Sequence, residues 1–341
     1  MNIILTIIYG VVIIGVLALV HETGHFLAAK ASGIPVEEFS IGFGPTVLQK
    51  KRGGTLYKVG LLPILGYVKI KGMEGDFDAP DGFFKKGLFQ RFITLFMGPF
   101  MNFVAAVVIF AVVFSAFGNP LVPSTVISSV SSDSPAQTAG ILPNDRITEI
   151  NGNEISTWDD LTSIVHSSNG GTLSISLVRN GNVVTIAVQP KKDVSTGQWM
   201  IGVSPRGEKY NVFVSLWEAI KWTGKVLYQS FTLLPSLFTR KGLSSLTGPI
   251  GIVAMTGQAA SYGFANLLWF AAFISIALGF TNLLPIPALD GSWIVLILWE
   301  AITRKPVPAE KQAAVQGAGF IFVLALMFLI SINDIIKLFA K

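Results

Sequence analysis

The chain has 341 residues, of which 51% are hydrophobic and only 13% are charged. Its mean hydropathy of +0.61 is too high for a soluble domain of this length and indicates a membrane protein. The absence of cysteine excludes disulfides and thiolate metal ligands. The net charge of +5 does not imply a nucleic-acid partner, because membrane proteins collect Lys and Arg in their short cytoplasmic loops.

Four segments are apolar enough to cross a bilayer, which requires about 20 mostly apolar residues. The first transmembrane helix is predicted over residues 1–32 and the second over residues 91–117. The third segment, residues 264–302, is too long for one straight crossing, and the two prolines of "NLLPIPALDG" are expected to break it. The fourth helix is predicted over residues 312–333.

The basic residues predict how these helices are oriented. Lys and Arg are concentrated between residues 50 and 91 and again between residues 304 and 311. If both stretches are cytoplasmic, as the distribution of positive charge in membrane proteins requires, both termini and the long loop after the second helix are extracytoplasmic. This arrangement holds only if residues 264–302 cross the membrane once.

The long connections carry predicted structure of their own. Residues 33–90 form a cytoplasmic-side loop in which "TLYKVGLLPILGYVKIKGM" alternates weakly, and this predicts a β-hairpin that dips into the membrane. Residues 124–205 combine short β-branched runs with the helix "TWDDLTSIVHSS", capped by Ser156 or Thr157, and predict a small extracytoplasmic α+β domain. Residues 211–261 mix aromatic, apolar and charged residues and are expected to form amphipathic helices at the membrane interface.

Two histidines and a glutamate lie in "VHETGHFLAAK", at the end of the first span. His21 and His25 are four residues apart, so they share one helix face and can hold one Zn²⁺. Glu22 is placed to take a proton from a water activated by the metal, whose pKa zinc lowers from 15.7 to about 7. A catalytic zinc needs a third protein ligand. Since His166 lies in the outer loop, the best candidate is Asp290.

The expected depth of these residues supports one shared site. At 1.5 Å per residue, His21 lies roughly 27 Å along the first span, and Asp290 lies about 18 Å of helix before the inner loop. Both are then in the cytoplasmic half of the bilayer. HExxH occurs by accident in many soluble helices, but uncompensated His and Glu are costly in a membrane span. Asp290 could instead cap the half-helix that begins at Gly291, and the need for a third ligand favours the metal.

Two asparagines within or at the ends of apolar segments are candidates for substrate binding. Asn102 follows the start of the second span, and Asn282 stands in the third. One interpretation is that their amides hydrogen-bond between helices. The other is that an amide near the zinc holds the backbone of a substrate.

Several motifs together resemble one family. "HETGH" in the first span, "GPFMNF" in the second and "NLLPIPALDG" in the third resemble the site-2 protease family (peptidase M50) of intramembrane zinc metalloproteases, and in particular its bacterial regulator-of-sigma-E branch. "SPAQTAGILPNDRITEING" at residues 134–152 resembles a PDZ signature, and "SLTGPIGI" at residues 245–252 also resembles this branch. The chain departs from the pattern in having one PDZ-like domain, and in Ser292, where many relatives have a second glycine after LDG.

The resemblance implies a multi-pass α-helical membrane protein with four transmembrane helices, the third of them broken, and an inserted extracytoplasmic α+β PDZ domain. It implies zinc on His21, His25 and Asp290, with Glu22 as general acid and base, and suggests that Asn282 holds the substrate backbone. It also suggests that the membrane-dipping hairpin binds the substrate as an extra β-strand. The substrate-binding residues expected in this hairpin are Gly66, Tyr67, Val68, Lys69 and Ile70.

The resulting prediction is an intramembrane zinc metalloprotease of the bacterial inner membrane. It would cut within the transmembrane segment of single-span proteins that another protease has already trimmed, such as an anti-sigma factor or remnant signal peptides. The PDZ domain would bind a substrate C-terminus or exclude bulky ectodomains. The alternative is a non-catalytic PDZ membrane scaffold, in which Glu22→Gln leaves function intact. A metal or ion transporter is disfavoured, because the two halves of the chain show no repeat symmetry.

Overall fold

The computed structural model describes residues 3–74, 76–193, 197–239 and 247–339. The chain divides into two compact units. The first unit comprises Met1–Phe110 and Leu216–Lys341, and the second comprises Ala111–Ser215.

The helices of the described residues differ widely in length. They are α1 (Ile3–Ala31), α2 (Leu88–Ala116), α3 (Pro135–Thr138), α4 (Trp158–Ser167), α5 (Val212–Leu233), α6 (Pro249–Ser261), α7 (Phe264–Asn282), α8 (Asp290–Thr303) and α9 (Ala309–Phe339). Short 3₁₀ turns cover Phe83–Lys85 and Leu234–Phe238.

The strands belong to two separate regions of the chain. They are β1 (Val36–Arg52), β2 (Thr55–Ile70), β3 (Asn119–Val130), β4 (Arg146–Ile150), β5 (Asn153–Glu154), β6 (Leu173–Arg179), β7 (Asn182–Val188), β8 (Lys191–Lys192), β9 (Trp199–Met200) and β10 (Val203–Glu208). β1 and β2 lie in the first unit, and β3 to β10 lie in the second.

Four helices are long and apolar enough to cross a membrane, as predicted: α1, α2, α7 and α9. The chain is therefore a multi-pass membrane protein. In the third predicted segment, α7 ends at Asn282 and α8 begins at Asp290, and Pro285 and Pro287 stand between them. Proline lacks an N–H and disfavours a helical conformation in the residue before it, which accounts for the interruption. The 14 residues of α8 span about 21 Å, too little to cross a bilayer alone.

The predicted hairpin within residues 55–73 is wrong in its pairing. β2 pairs with β1, and residues 38–41 of β1 lie opposite both residues 56–59 and residues 66–69 of β2. The two halves of β2 therefore flank the first half of β1, and the other side of residues 66–70 is unpaired among the described strands. Side-chain alternation in β2 indicated a strand, but it carried no information about a partner earlier in the chain.

The interfacial helices predicted over residues 211–261 are only partly as expected. α5 has the expected mixed composition, with Trp217 and Tyr228 exposed. α6 has no charged residue, and it packs against α1, α7 and α9. A β-carbon at Gly257 of α6 would lie 2.4 Å from Thr6 Cγ2, so this glycine allows a close approach to α1. Of the "SLTGPIGI" stretch, Ser245 and Leu246 lie outside the described residues.

The second unit confirms the sequence prediction in its strands and its helix. Its sheet has the order β10-β3-β4-β6-β7, with β5 on β4. Inward-facing residues of β4 and β6, such as Ile147 and Leu177, form a buried core with Leu161 of α4. Thr157 caps α4, and its side chain accepts a hydrogen bond from the Asp160 N–H. The edge strand β10 was not predicted.

An ion pair between a buried arginine and a partly exposed glutamate connects α2 to α8 in the first unit. Arg91 Nη2 lies 2.6 Å from Glu300 Oε2, and the Arg91 side chain is 5% exposed. Arg91 stands near the start of α2, and Glu300 stands in the last turn of α8. The pair holds the far end of the helix whose first residue is Asp290.

Removing the Glu300 carboxylate is expected to destabilise the protein by about 3 kcal/mol, because the Arg91 charge stays buried and unpaired. Arg91→Leu and Glu300→Leu should each lower the thermal unfolding midpoint in detergent. The double variant should be more stable than either single variant, since it leaves no unpaired charge. If the loss of stability in the double variant equals the sum of the losses in the two single variants, this account is contradicted.

Candidate metal centre

The two histidines of the first span project from one face of α1. His21 and His25 are one turn apart, and both are buried. Their Nε2 atoms lie 3.0 Å from each other. Helical spacing alone therefore brings two nitrogen donors to one point.

The third donor comes from the first residue of α8. Asp290 Oδ2 lies 3.1 Å from His21 Nε2 and 3.4 Å from His25 Nε2. The loop before α8 turns the chain so that this carboxylate faces α1. The start of a helix also stabilises a carboxylate, through the positive end of the helix dipole. Asp290 thus faces the histidines, as the metal prediction required.

The separations of these donors fit a zinc ion. Zn–N and Zn–O bonds of 2.0–2.2 Å at tetrahedral angles separate neighbouring donors by about 3.3 Å. The three separations of 3.0, 3.1 and 3.4 Å lie on either side of this value. Two imidazoles and one carboxylate also form a donor set typical of catalytic zinc. The residues present therefore fit the metal.

Each histidine is held through its other ring nitrogen by α2. His25 Nδ1 lies 2.8 Å from the Thr94 carbonyl oxygen, so Nδ1–H donates and the Nε2 lone pair faces the metal position. His21 Nδ1 lies 3.3 Å from Asn102 Nδ2, while the buried Asn102 Oδ1 has no hydrogen-bond partner among the described residues. Rotating the amide by 180° would make Oδ1 the acceptor of a proton on His21 Nδ1 and leave the Nε2 lone pair facing the metal position.

A cavity of about 350 Å³ adjoins the three donors. Glu22 lines it together with Val68 of β2. Asn282, at the end of α7, also lines the cavity. Asn102 lies at its edge but is fully buried.

The unpaired edge of β2 forms one wall of this cavity. Gly66, Val68 and Ile70 line it. The side chains of Tyr67 and Lys69 point elsewhere: the Tyr67 hydroxyl donates to Glu38, and Lys69 pairs with Glu37. Only alternate residues of the predicted stretch 66–70 therefore line the cavity, because successive side chains of a strand project to opposite faces.

Sequence reasoning missed a glycine that makes room for the site. Gly98 of α2 faces His25, and a β-carbon there would lie 2.2 Å from His25 Nε2. Gly24 of α1 allows the same close crossing of helices, because its β-carbon would lie 2.2 Å from the Met97 carbonyl oxygen. "GPFMNF" contains Gly98, but no local pattern shows which residue this glycine faces.

Gly98→Ala is expected to push the His25 ring from its place and to weaken metal binding at least about tenfold, as disturbing the surroundings of a ligand commonly does. Competition with a chelator for Zn²⁺ measures the affinity. Gly224→Ala on α5 is the matched control, because a β-carbon there meets no atom within 4 Å. Unchanged affinity in Gly98→Ala would show that the ring tolerates the added methyl group.

Comparisons with known proteins identify the family of this chain. Residues 9–326 match the model of peptidase family M50. A Clostridium perfringens protein named as an inferred zinc metalloprotease is 38% identical, over 97% of this chain and 98% of its own length. An Enterococcus faecalis protein, named as a protease, is 31% identical over 98% and 99%.

A solved PDZ domain of the SdrC-like protein of Listeria innocua covers 26% of this chain and 99% of its own length, at 26% identity and a TM-score of 0.23. The family match covers most of the chain and includes the histidines and Asp290. The resemblance to site-2 proteases is therefore confirmed. The chain belongs to peptidase family M50 and is a zinc metalloprotease of the site-2 type.

Proposed function

We propose that this protein hydrolyses a peptide bond within the transmembrane segment of single-span membrane proteins. In this proposal His21, His25 and Asp290 hold the zinc, and Glu22 is the general acid and base. One observation carries the proposal. The three donor atoms lie within 3.4 Å of one another, and Glu22 lines the same cavity, among helices apolar enough to span a membrane.

The zinc and Glu22 would have different roles at the scissile bond. Zinc at such a site lowers the pKa of a bound water to about 7 and polarises a carbonyl. Glu22 lies next to the donors, where it accepts a proton from the attacking water and delivers it to the leaving amine. Glu22 shares the cavity with Gly66 and Val68, so its carboxylate lies beside the strand where the substrate would bind.

The unpaired edge of β2 supplies a place for an unwound substrate. A transmembrane helix resists hydrolysis while its carbonyls are hydrogen-bonded within the helix. Main-chain groups along residues 66–70 can replace these hydrogen bonds, as in β-strand addition. Gly66, Val68 and Ile70 would contact the substrate directly. The side-chain amide of Asn282 would form a hydrogen bond with the substrate backbone. Tyr67 and Lys69 would act only through their main chain.

The distribution of charge supports an orientation with the site in the cytoplasmic half of the bacterial inner membrane. The Lys and Arg of residues 50–91 and 304–311 would lie inside, with α7 and α8 making one crossing together. Both termini and the second unit would then be extracytoplasmic. The sequence 134–152 within that unit resembles a PDZ signature.

The second unit would select substrates. As a PDZ domain it would bind a newly exposed C-terminus or exclude bulky ectodomains, so that substrates are first trimmed by another protease. Anti-sigma factors and remnant signal peptides meet this requirement. A PDZ scaffold without catalysis is the second candidate, and the buried donor set argues against it, because three such groups in an apolar bundle are costly without a shared ion.

Glu22→Gln is expected to lower the cleavage rate of a model single-span substrate at least about 100-fold, because the amide cannot transfer the proton. Zinc content should stay at the wild-type level, since no donor is changed. Asp78→Asn, at an exposed carboxylate that pairs with Lys85, should cleave normally. Cleavage that survives in Glu22→Gln would rule out this mechanism and favour the scaffold.

Asn102 is expected to orient His21 rather than to hold the substrate. Asn102→Leu removes the amide and should weaken zinc binding about 10- to 100-fold. Asn102→Asp keeps an acceptor for His21 Nδ1–H and should bind zinc within a few-fold of wild type, since carboxylate–histidine–zinc arrangements are common. Wild-type zinc affinity in Asn102→Leu, with a raised KM, would instead support substrate binding.

A further inference from the structure

The last span contributes no donor to the metal centre, yet it contacts the chain on both sides of Asp290. Gln316 of α9 is buried. Its Oε1 accepts a hydrogen bond of 2.6 Å from the Ala288 N–H, two residues before Asp290. Its Nε2 and Oε1 lie 2.8 and 2.9 Å from the Ser292 hydroxyl, two residues after Asp290. One side chain therefore bridges the segment that carries the metal ligand.

The conformation of Ala288 shows why such a bridge is needed. Its φ is +80°, in the left-handed region that a residue with a β-carbon adopts only at a cost of roughly 1–2 kcal/mol. Its N–H stands at the break between two apolar helices, where an unpaired backbone donor is costly. The Gln316 amide supplies the missing acceptor and so stabilises the turn that directs Asp290 toward the histidines.

The surface of α9 is shaped to this turn at a second point. Gly319 lies one turn after Gln316 and faces Pro287. A β-carbon at Gly319 would be 2.2 Å from Pro287 Cβ, so only glycine allows this approach. Two neighbouring positions on one face of α9 thus contact Pro287 and Ala288, three and two residues before the ligand.

We propose that Gln316 is a positioning residue of the metal centre. It fixes the turn before α8 so that Asp290 Oδ2 stays 3.1 and 3.4 Å from the two histidine nitrogens. It acts through Ala288 and Ser292 and touches neither metal nor donor atom. This inference rests on the metal site of the proposed function, and it adds that the last span controls the affinity of that site.

Gln316 also lines a second cavity of about 570 Å³, which shares Val68, Ile70 and Ala288 with the wall of the first. A rival role is therefore contact with the substrate. The two roles predict different measurements. A positioning residue changes metal affinity, whereas a substrate contact changes KM and leaves the metal in place.

The test compares two buried glutamines of α9 in the full-length protein in detergent. Gln316→Met keeps the length of the side chain and removes the amide. Gln312→Met is the matched control, because Gln312 is equally buried and its Nε2 donates to the Val307 carbonyl, away from Asp290. Zn²⁺ affinity is measured by chelator competition, and the geometry of the site by the absorption spectrum of bound Co²⁺.

Gln316→Met is expected to raise the Kd for Zn²⁺ at least about tenfold, as the loss of an outer hydrogen bond commonly does, and to change the Co²⁺ spectrum. Gln312→Met should stay within about twofold of wild type on the same principle, since its amide does not support a ligand. Ala288→Gly added to Gln316→Met should recover part of the affinity, because glycine adopts a positive φ without steric cost. If Gln316→Met does not fold, Gln316→Asn, which withdraws the amide by one methylene, is measured with the same expectations.

Wild-type zinc affinity in Gln316→Met, equal losses in the two glutamine variants, or no recovery with Ala288→Gly would each overturn the inference. So would a raised KM with unchanged affinity. These measurements need no proteolysis, so they are independent of Glu22→Gln. A His21→Ala variant with wild-type affinity would overturn the metal site itself, and this inference with it.

Discussion

The structure depends on the meeting of two imidazoles and a carboxylate among apolar helices. Polar groups in such surroundings are costly unless they find partners, so the position of each ligand constrains the helix that carries it. α1 presents His21 and His25 from one face, and the break between α7 and α8 allows Asp290 to reach them. A straight third span would place that carboxylate inside a regular helix, without the turn that directs it.

The helices around the site supply support rather than ligands. α2 accepts from His25 through the Thr94 carbonyl, contacts His21 through Asn102, and leaves space for the His25 ring at Gly98. α9 holds the turn before Asp290 through Gln316. Each ligand is thus positioned by a different contact. Small displacements of α2 or α9 would therefore shift the metal ligands. This division explains why residues far from the reacting atoms are expected to alter zinc affinity.

The sheet of the first unit gives the site an open strand edge. The first half of β1 is flanked by both halves of β2, which leaves residues 66–70 with one paired and one open side. The open side lies beside Glu22 and the donors. A strand edge is normally a liability, and here it faces a cavity where an extended peptide would satisfy it. Unwinding of a substrate helix and exposure of its carbonyl to the metal would then occur at the same place.

The sequence by itself determined what depends on local spacing. It predicted the four spans, the shared face of His21 and His25, the capped helix of the second unit and its four main strands. Asp290 followed from the need for a third ligand. Tertiary structure alone decided the pairing of β2 with β1, the contact between Asn102 and His21, and the bridge from Gln316. These contacts join residues far apart in the chain, and periodicity describes only neighbours along one element.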